Sequence, residues 1–262
     1  MLICEDILLL LTRDDGRTEA WVSYRPYALA AGLLSDLALA NCLEFEPTGK
    51  NPKVTLKGGP VGAPAGAGHG GAPAGFADPA GGAGGEPSPA DGPGAIMEFG
   101  LRALAGRSKP TRVQSVVTAG WFNPQEVVSR SLVAQGIVGL EEKRMLGLKP
   151  ERYPVLDPQP EAHTRARLAD ALAGRGPVAP ADVMILGILQ AIDAPRNVLR
   201  AELAQVGLKP REAKKRISAL AEELPADAQH GNRAIKGVID SMNAAIMGAV
   251  AATAAGGAAA SS

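Results

Sequence analysis

The sequence predicts a mainly α-helical fold, a single helical domain with small β-hairpins, and three observations favour it. Aromatic residues make up only 3% of the 262 residues, whereas strands favour Tyr, Phe and Trp. Apolar residues recur at three- and four-residue spacing over most of the chain, which is typical of amphipathic helices. Only two short regions alternate with period two and predict hairpins.

The first ordered block predicts two helices and a hairpin. Acidic residues Glu5 and Asp6 begin the apolar segment 2–11 and suit the first turn of a helix. A turn at residues 14–16 precedes the second helix, residues 27–42, and Pro26 suits its start. Segments 43–46 and 53–57 then alternate around a loop rich in Pro and Gly, which predicts the first hairpin.

A Gly/Ala/Pro tract separates this block from the rest. Residues 58–95 are predicted to be a disordered insertion within one domain of residues 1–250, and residues 251–262 a disordered Ala/Gly/Ser tail. The tract contains a G-x-G-x-x-G match at Gly66, Gly68 and Gly71. No helix pattern follows the match, and chance explains it in so glycine-rich a segment.

The second block predicts further helices and a second hairpin. Asn123 can cap a helix that has Pro124 at its first position and Val127, Val128, Leu132 and Val133 as its apolar stripe. Residues 137–140, 143–148 and 153–156 predict two strands around a polar turn. The remaining predicted helices are residues 96–104, 111–117, 161–173, 180–191, 196–207, 210–224 and 234–252.

The charge pattern indicates where an anionic partner would bind. The 27 basic and 27 acidic residues balance, which argues against a dedicated nucleic-acid binder. Residues 102–152 nevertheless hold 9 basic and 4 acidic groups. We therefore expect an anionic partner to meet the middle of the chain.

No motif in the sequence supports an enzyme, a metal site or a cofactor. The three histidines are far apart, and no nucleophile elbow, metalloprotease motif or phosphate-binding loop is present. Cys4 and Cys42 form no disulfide framework. The start lacks the basic region of a signal peptide, so the expectation is a cytoplasmic protein or one that touches a membrane from its cytoplasmic side.

Two blocks of residues are more specific than composition. The first is Leu2-x-x-Glu5 with Ile7–Leu10, Asp15-Gly16 and the helix from Ala30 to Leu39 running into Leu43-Glu44. The second is Leu132-Val133-x-x-Gly136-Ile137-Val138, Leu146-Gly147-Leu148 and the run from Arg152 to Pro158. Together they resemble the Golgi phosphoprotein 3 family, including its bacterial members, over about 200 residues once the tract is treated as an insertion.

The resemblance implies a helical domain with a protruding hairpin that binds phosphatidylinositol 4-phosphate as a peripheral membrane protein. Trp21 falls on the Trp of the headgroup pocket, and Arg130 matches a basic position of the family. The other expected arginines are replaced by Ala30, Phe122 and Gln125. The physiological lipid therefore stays open, with anionic phospholipid in general as the expected partner.

Two more arginines complete the predicted headgroup site. Arg25 and Arg112 join Trp21 and Arg130 as candidates, because a lipid phosphate needs several converging cations. For Trp21 the alternative is ordinary partial burial, and for each arginine it is a solvated surface position.

The second hairpin, residues 141–154, is the predicted membrane contact. Apolar residues beside cations suit an anionic membrane, and the candidates are Lys143, Arg144, Met145, Leu146 and Leu148. The resemblance also implies self-association through this hairpin. The alternative is that its apolar side chains pack back onto the domain.

Two other functions stay open: a soluble protein-interaction module, and a winged-helix nucleic-acid binder in which the helix from Asn123 precedes a wing.

Overall fold

The computed structural model describes residues 1–17, 24–46, 52–57, 92–141 and 152–223, together with residue 244. Within these ranges it confirms the mainly α fold class, with ten α-helices and a small three-stranded antiparallel sheet. The helices are α1 (Ile3–Leu10), α2 (Arg25–Leu39), α3 (Pro93–Ala105), α4 (Val113–Val117), α5 (Gln125–Ala134), α6 (Gln159–Ala173), α7 (Pro180–Ala191), α8 (Pro195–Val198), α9 (Arg200–Gln205) and α10 (Pro210–Glu223).

Helix α1 lies at the centre of the fold. Every residue from Ile3 to Leu10 is buried, as expected of a helix that is apolar on nearly all sides. It packs against α2, α5, α6 and α7. The contact with α2 is close at Gly32, where a Cβ atom would lie 2.9 Å from the Cα atom of Cys4. The apolar start of the chain is therefore the middle of the core.

Three buried carboxylates tie α1 to its neighbours. Asp36 of α2 accepts hydrogen bonds from the backbone amides of Ile3 at 2.7 Å and Cys4 at 3.1 Å. These amides are among the four at a helix start that have no partner within the helix. Glu5 accepts from the Ser131 hydroxyl of α5 at 2.8 Å, and Asp6 from the Thr164 hydroxyl of α6 at 2.6 Å. Adjacent acidic residues thus point to different helices.

The sheet contains the first predicted hairpin and one strand that the sequence did not predict. Strand β1 (Leu43–Glu46) pairs with β2 (Lys53–Leu56), with Leu43 opposite Leu56. The prediction of a helix from residue 111 was wrong for two residues, because β3 (Thr111–Arg112) pairs with β2 before α4 begins. The Val113 amide then bonds to the Pro52 carbonyl at 3.0 Å, so the edge of β2 supplies the partners of this segment.

Helix boundaries differ from the predictions where prolines and side-chain bonds decide them. Helix α3 begins at Pro93, inside the range predicted as insertion, because proline suits a first helical position. Helix α5 begins at Gln125, whose amide donates to Oδ1 of Asn123 at 3.2 Å. Its buried face includes Val128 and Leu132 as predicted, but Ser129 and Ser131 take the places expected for Val127 and Val133.

The C-terminal helices follow the predicted order, with one break. The single helix predicted over residues 196–207 is divided into α8 and α9. The Arg165 guanidinium donates to the Val198 carbonyl at 2.5 Å, which removes that oxygen from the helical ladder. The predicted helix 234–252 lies outside the described residues except for residue 244, which is helical. Across the described ranges, no helix combines the length and the apolar character needed to span a membrane.

Candidate functional site: an arginine-lined cleft

A cleft of about 680 Å³ opens where three parts of the fold meet. Its walls are the turn after α1 together with the start of α2, the first turns of α5, and the base of the second hairpin. That base consists of the bridges between Val138 and Val155 and between Glu141 and Arg152. Apolar residues of the cleft are Leu8, Leu9, Leu132 and Val138. Its polar residues are Thr12, Arg17, Arg25, Asn123, Gln125, Glu126, Ser129, Arg152 and Tyr153.

The turn after α1 is locked against the hairpin base. The Gly16 amide closes the turn on the Arg13 carbonyl at 2.8 Å, and the Val155 amide donates to the Asp14 carbonyl at 3.1 Å. Gly16 has a φ of +73°, and a Cβ atom there would lie 2.5 Å from the backbone of Tyr153 and Pro154. Only glycine fits both the left-handed conformation and this close approach.

Arg25 brings an unpaired cation into the cleft. It occupies the first position of α2 and is half-buried. Its guanidinium makes no hydrogen bond or ion pair with any described residue. Burial lowers the pKa of Arg25 from its ordinary value, but a guanidinium remains charged at physiological pH. A partly desolvated cation without a counter-ion favours the binding of an anion.

Two further guanidiniums line the same cleft. Arg152 is half-buried, and its main chain is held by Glu141 through hydrogen bonds of 2.9 and 3.2 Å. Among the described residues its side chain has no acidic partner within ion-pair distance. Arg17 is exposed and lies 3.5 Å from the Asp15 carboxylate. Among the described residues, the cleft therefore contains three cations, and one of them, Arg17, is paired with a surface carboxylate.

The α5 wall of the cleft contributes a carboxylate and neutral polar groups to the lining. Glu126 lines the cleft, and its Oε1 accepts a hydrogen bond from Nη2 of Arg130 at 2.5 Å. Both side chains are exposed, at 74% and 64%, so the pair adds little to stability. Asn123, Gln125 and Ser129 are the other polar groups on this wall.

The structure brings some of the predicted headgroup residues together and separates others. Arg25 lines the cleft and Arg130 lies beside it, paired with Glu126. Arg112 is exposed on β3 opposite Lys53 and does not line this cleft. Trp21 lies outside the described residues, in the chain between the two cleft residues Arg17 and Arg25. The hairpin candidates Lys143, Arg144, Met145, Leu146 and Leu148 also lie outside them.

Burial distinguishes the three positions at which the resemblance leads one to expect arginine. Ala30 and Phe122 are 1% and 0% exposed and belong to the core, so an arginine there would displace packed neighbours. Gln125 lines the cleft. The cations that sequence reasoning missed are Arg17 and Arg152. Arg17 directly follows the quoted Asp15-Gly16, and Arg152 begins the quoted run from Arg152 to Pro158, so their place in the two sequence blocks is the signal that could have revealed them.

These features define a helical protein with a basic cleft at the base of a hairpin, a site suited to an anionic group. The particular family follows from comparison with known proteins. The model of the family Golgi phosphoprotein 3 (GPP34) matches residues 3–244, and the chain belongs to this family. The resemblance predicted from the two sequence blocks is thereby confirmed. Comparison with individual curated proteins finds no match.

Proposed function

We propose that this protein is a peripheral membrane protein, acting on the cytoplasmic face of a membrane, that binds the phosphate of an anionic lipid headgroup in the arginine-lined cleft. The observation that carries the proposal is the convergence of Arg17, Arg25 and Arg152 on one cleft, with Arg25 half-buried and unpaired among the described residues. Family membership supports it, because the resemblance implies a phosphoinositide-binding function.

The chemistry of the cleft suits binding rather than catalysis. Guanidiniums bind phosphate through short, often bidentate, charge-assisted hydrogen bonds. They do not exchange protons near neutral pH and therefore serve poorly as general acids or bases. The buried carboxylates Glu5 and Asp6 are committed to hydrogen bonds with α5 and α6. We therefore propose a lipid-binding protein without enzymatic activity or cofactor.

The winged-helix alternative receives less support from the site. Its recognition helix would be α5, whose one basic residue is Arg130, and the Arg130 guanidinium is paired with Glu126. A recognition helix needs several side chains free to reach base edges and phosphates. The basic groups lie instead inside a concave site, where a small headgroup fits and a duplex does not.

Vesicle binding by charge-removal variants tests the proposal. Arg25→Gln and Arg152→Gln should each weaken sedimentation with vesicles containing phosphatidylglycerol or phosphatidylinositol 4-phosphate, relative to phosphatidylcholine alone. A hydrogen bond to a charged group contributes about 1.5–3 kcal/mol, so we expect a loss of about tenfold or more for each. Circular dichroism should show an unchanged fold.

Arg112→Gln is the matched control, since it removes an exposed arginine of the same basic region that does not line the cleft. If Arg112→Gln weakens binding as much as Arg25→Gln, the interaction is a general surface attraction and the cleft is not the site. If the wild-type protein sediments with none of these vesicles, the proposed function is wrong.

A further inference from the structure

An exposed basic loop lies between α3 and β3, outside the cleft. The stretch 99–125 contains four basic and no acidic residues. Two of the four, Arg107 and Lys109, lie in this loop, where every residue from 106 to 110 is exposed. Their side chains form no hydrogen bond or ion pair with any described residue. Two exposed cations without counter-ions favour an anionic partner.

The Arg107 guanidinium is held in place by an aromatic ring. It stacks on Trp121, with Cζ at 4.6 Å from the ring centroid. Such a cation–π contact restrains the arginine without neutralising its charge. Trp121 is half-buried, and its ring packs edge-on against Phe122 at a centroid distance of 5.7 Å. Because Phe122 is 0% exposed, Trp121 links the exposed cation to the core.

This stacked pair adjoins the cleft. Gly120 and Asn123 are exposed and line the cleft, and Trp121 lies between them, within the short 3-10 helix Gly120–Phe122. A lipid headgroup can enter the cleft only when the cleft opens toward the bilayer, so the exposed residues beside its opening face the bilayer too. An indole beside unpaired cations suits the interface of an anionic membrane, where one part of the contact is apolar and the other is charged.

We propose that Arg107, Lys109 and Trp121 form a second membrane contact, which binds the anionic bilayer surface while the cleft binds one headgroup. The inference depends on the proposed function, because it requires a protein that attaches to a membrane. Arg112 lies on β3 beside Lys53 of the sheet and is not part of this contact. An acidic protein surface would also suit the charge, but the half-buried indole and the adjacent cleft favour a bilayer.

Tryptophan fluorescence tests the contact directly, because the chain has two tryptophans, Trp21 and Trp121. In Trp21→Phe all tryptophan emission comes from Trp121. When this variant sediments with phosphatidylglycerol vesicles that contain brominated acyl chains, its emission should be quenched and shifted to shorter wavelength, since tryptophans at membrane interfaces lie at the headgroup level. If Trp21→Phe does not sediment, the quenching lost between wild type and Trp121→Phe isolates the same emission.

Charge removal tests the loop itself. Arg107→Gln with Lys109→Gln should weaken binding to phosphatidylglycerol vesicles by about twentyfold at low ionic strength, at about fivefold for each cation, and by less at high ionic strength. The matched control is Arg211→Gln with Lys215→Gln. It removes two exposed cations of α10, which packs against α6, α7 and α8 and does not line the cleft.

The outcomes separate this inference from the function on which it depends. Sedimentation without quenching of Trp121, or equal losses in the loop variant and the α10 variant, would overturn the second contact and leave lipid binding in the cleft in place. Unchanged affinity of the loop variant would also overturn it, and would leave an acidic protein as the partner that the charge suits. If wild-type protein sediments with no vesicle, the proposed function fails, and this inference fails with it.

Discussion

The buried Asp36 carboxylate offers a sharp test of how the core is held together. Burial raises the pKa of Asp36 from 3.8 to about 6, and the neighbouring Glu5 adds to this, although the amides of Ile3 and Cys4 act in the opposite direction. A raised carboxyl pKa means that the folded chain binds this proton more tightly than the unfolded chain does. Its contribution is fully present below about pH 3.8 and is lost as pH rises through about 6.

The magnitude follows from the difference between the two pKa values. At about 1.4 kcal/mol per pH unit, a rise from 3.8 to about 6 corresponds to about 3 kcal/mol. Asp36→Asn removes the titration and keeps the size of the side chain. The free energy of unfolding of wild type minus that of Asp36→Asn should therefore fall by roughly 2–3 kcal/mol between pH 4 and pH 8.

Urea denaturation followed by circular dichroism measures this difference at each pH. Burial also raises the pKa values of Asp6, Glu161 and Asp182, but their contributions cancel because both proteins contain them. Asp157→Asn is the control, since it removes an exposed carboxylate that likewise accepts a helix-start amide, that of Gln159. A difference that stays constant with pH would show that the α1 amides offset burial, and one that rises with pH would show that they outweigh it.

Three further predictions concern the cleft and its surroundings. Gly16→Ala should lower the free energy of unfolding by about 1–3 kcal/mol and weaken vesicle binding, because φ is +73° and the new Cβ atom would clash with the hairpin base. Unchanged melting and binding would refute the locked turn. Trp21→Ala should weaken vesicle binding with helical circular dichroism intact; a loss of stability alone would make Trp21 a core residue. Leu146→Asp should abolish vesicle binding without unfolding the protein. The double variant Lys143→Ala with Arg144→Ala should weaken vesicle binding mainly at low ionic strength. If vesicle binding survives Leu146→Asp, the hairpin is not the membrane contact.

The sequence predicted the elements whose signals are local. The bounds of α7 were predicted as they are, and those of α1 and α10 to within one residue at each end, because apolar spacing and prolines determine them. Strand β3 could not be predicted, since its two residues extend only by pairing with β2, which precedes the Gly/Ala/Pro tract in the chain. The break after Val198 likewise depends on Arg165 from another helix.

The candidate site shows the same division between local and distant causes. Arg25 was predicted as a cation close to Trp21 in the sequence, just before a recognisable helix. Arg17 and Arg152 were missed because they lie far apart in the chain, on opposite sides of the Gly/Ala/Pro tract, and only the docking of the α1 turn on the hairpin base brings their segments together. The buried serines of α5 were missed because, judged from the sequence alone, valine fits a core better than serine. Ser131 is buried because Glu5, a residue distant in the chain, accepts its hydrogen bond.

The cleft and the base of the second hairpin are held together by the backbone, and this bears on the proposed membrane attachment. The Asp14 carbonyl, Gly16 and the backbone of Tyr153 and Pro154 hold the α1 turn and the hairpin base in fixed register. Arg152 is part of that base, so the same segment supplies a cleft cation and leads directly into residues 142–151. A headgroup bound by Arg152 therefore lies next to the start of the hairpin. We therefore propose that headgroup binding in the cleft and membrane contact by the hairpin reinforce each other through effective concentration, which would give reversible attachment without a strong individual site.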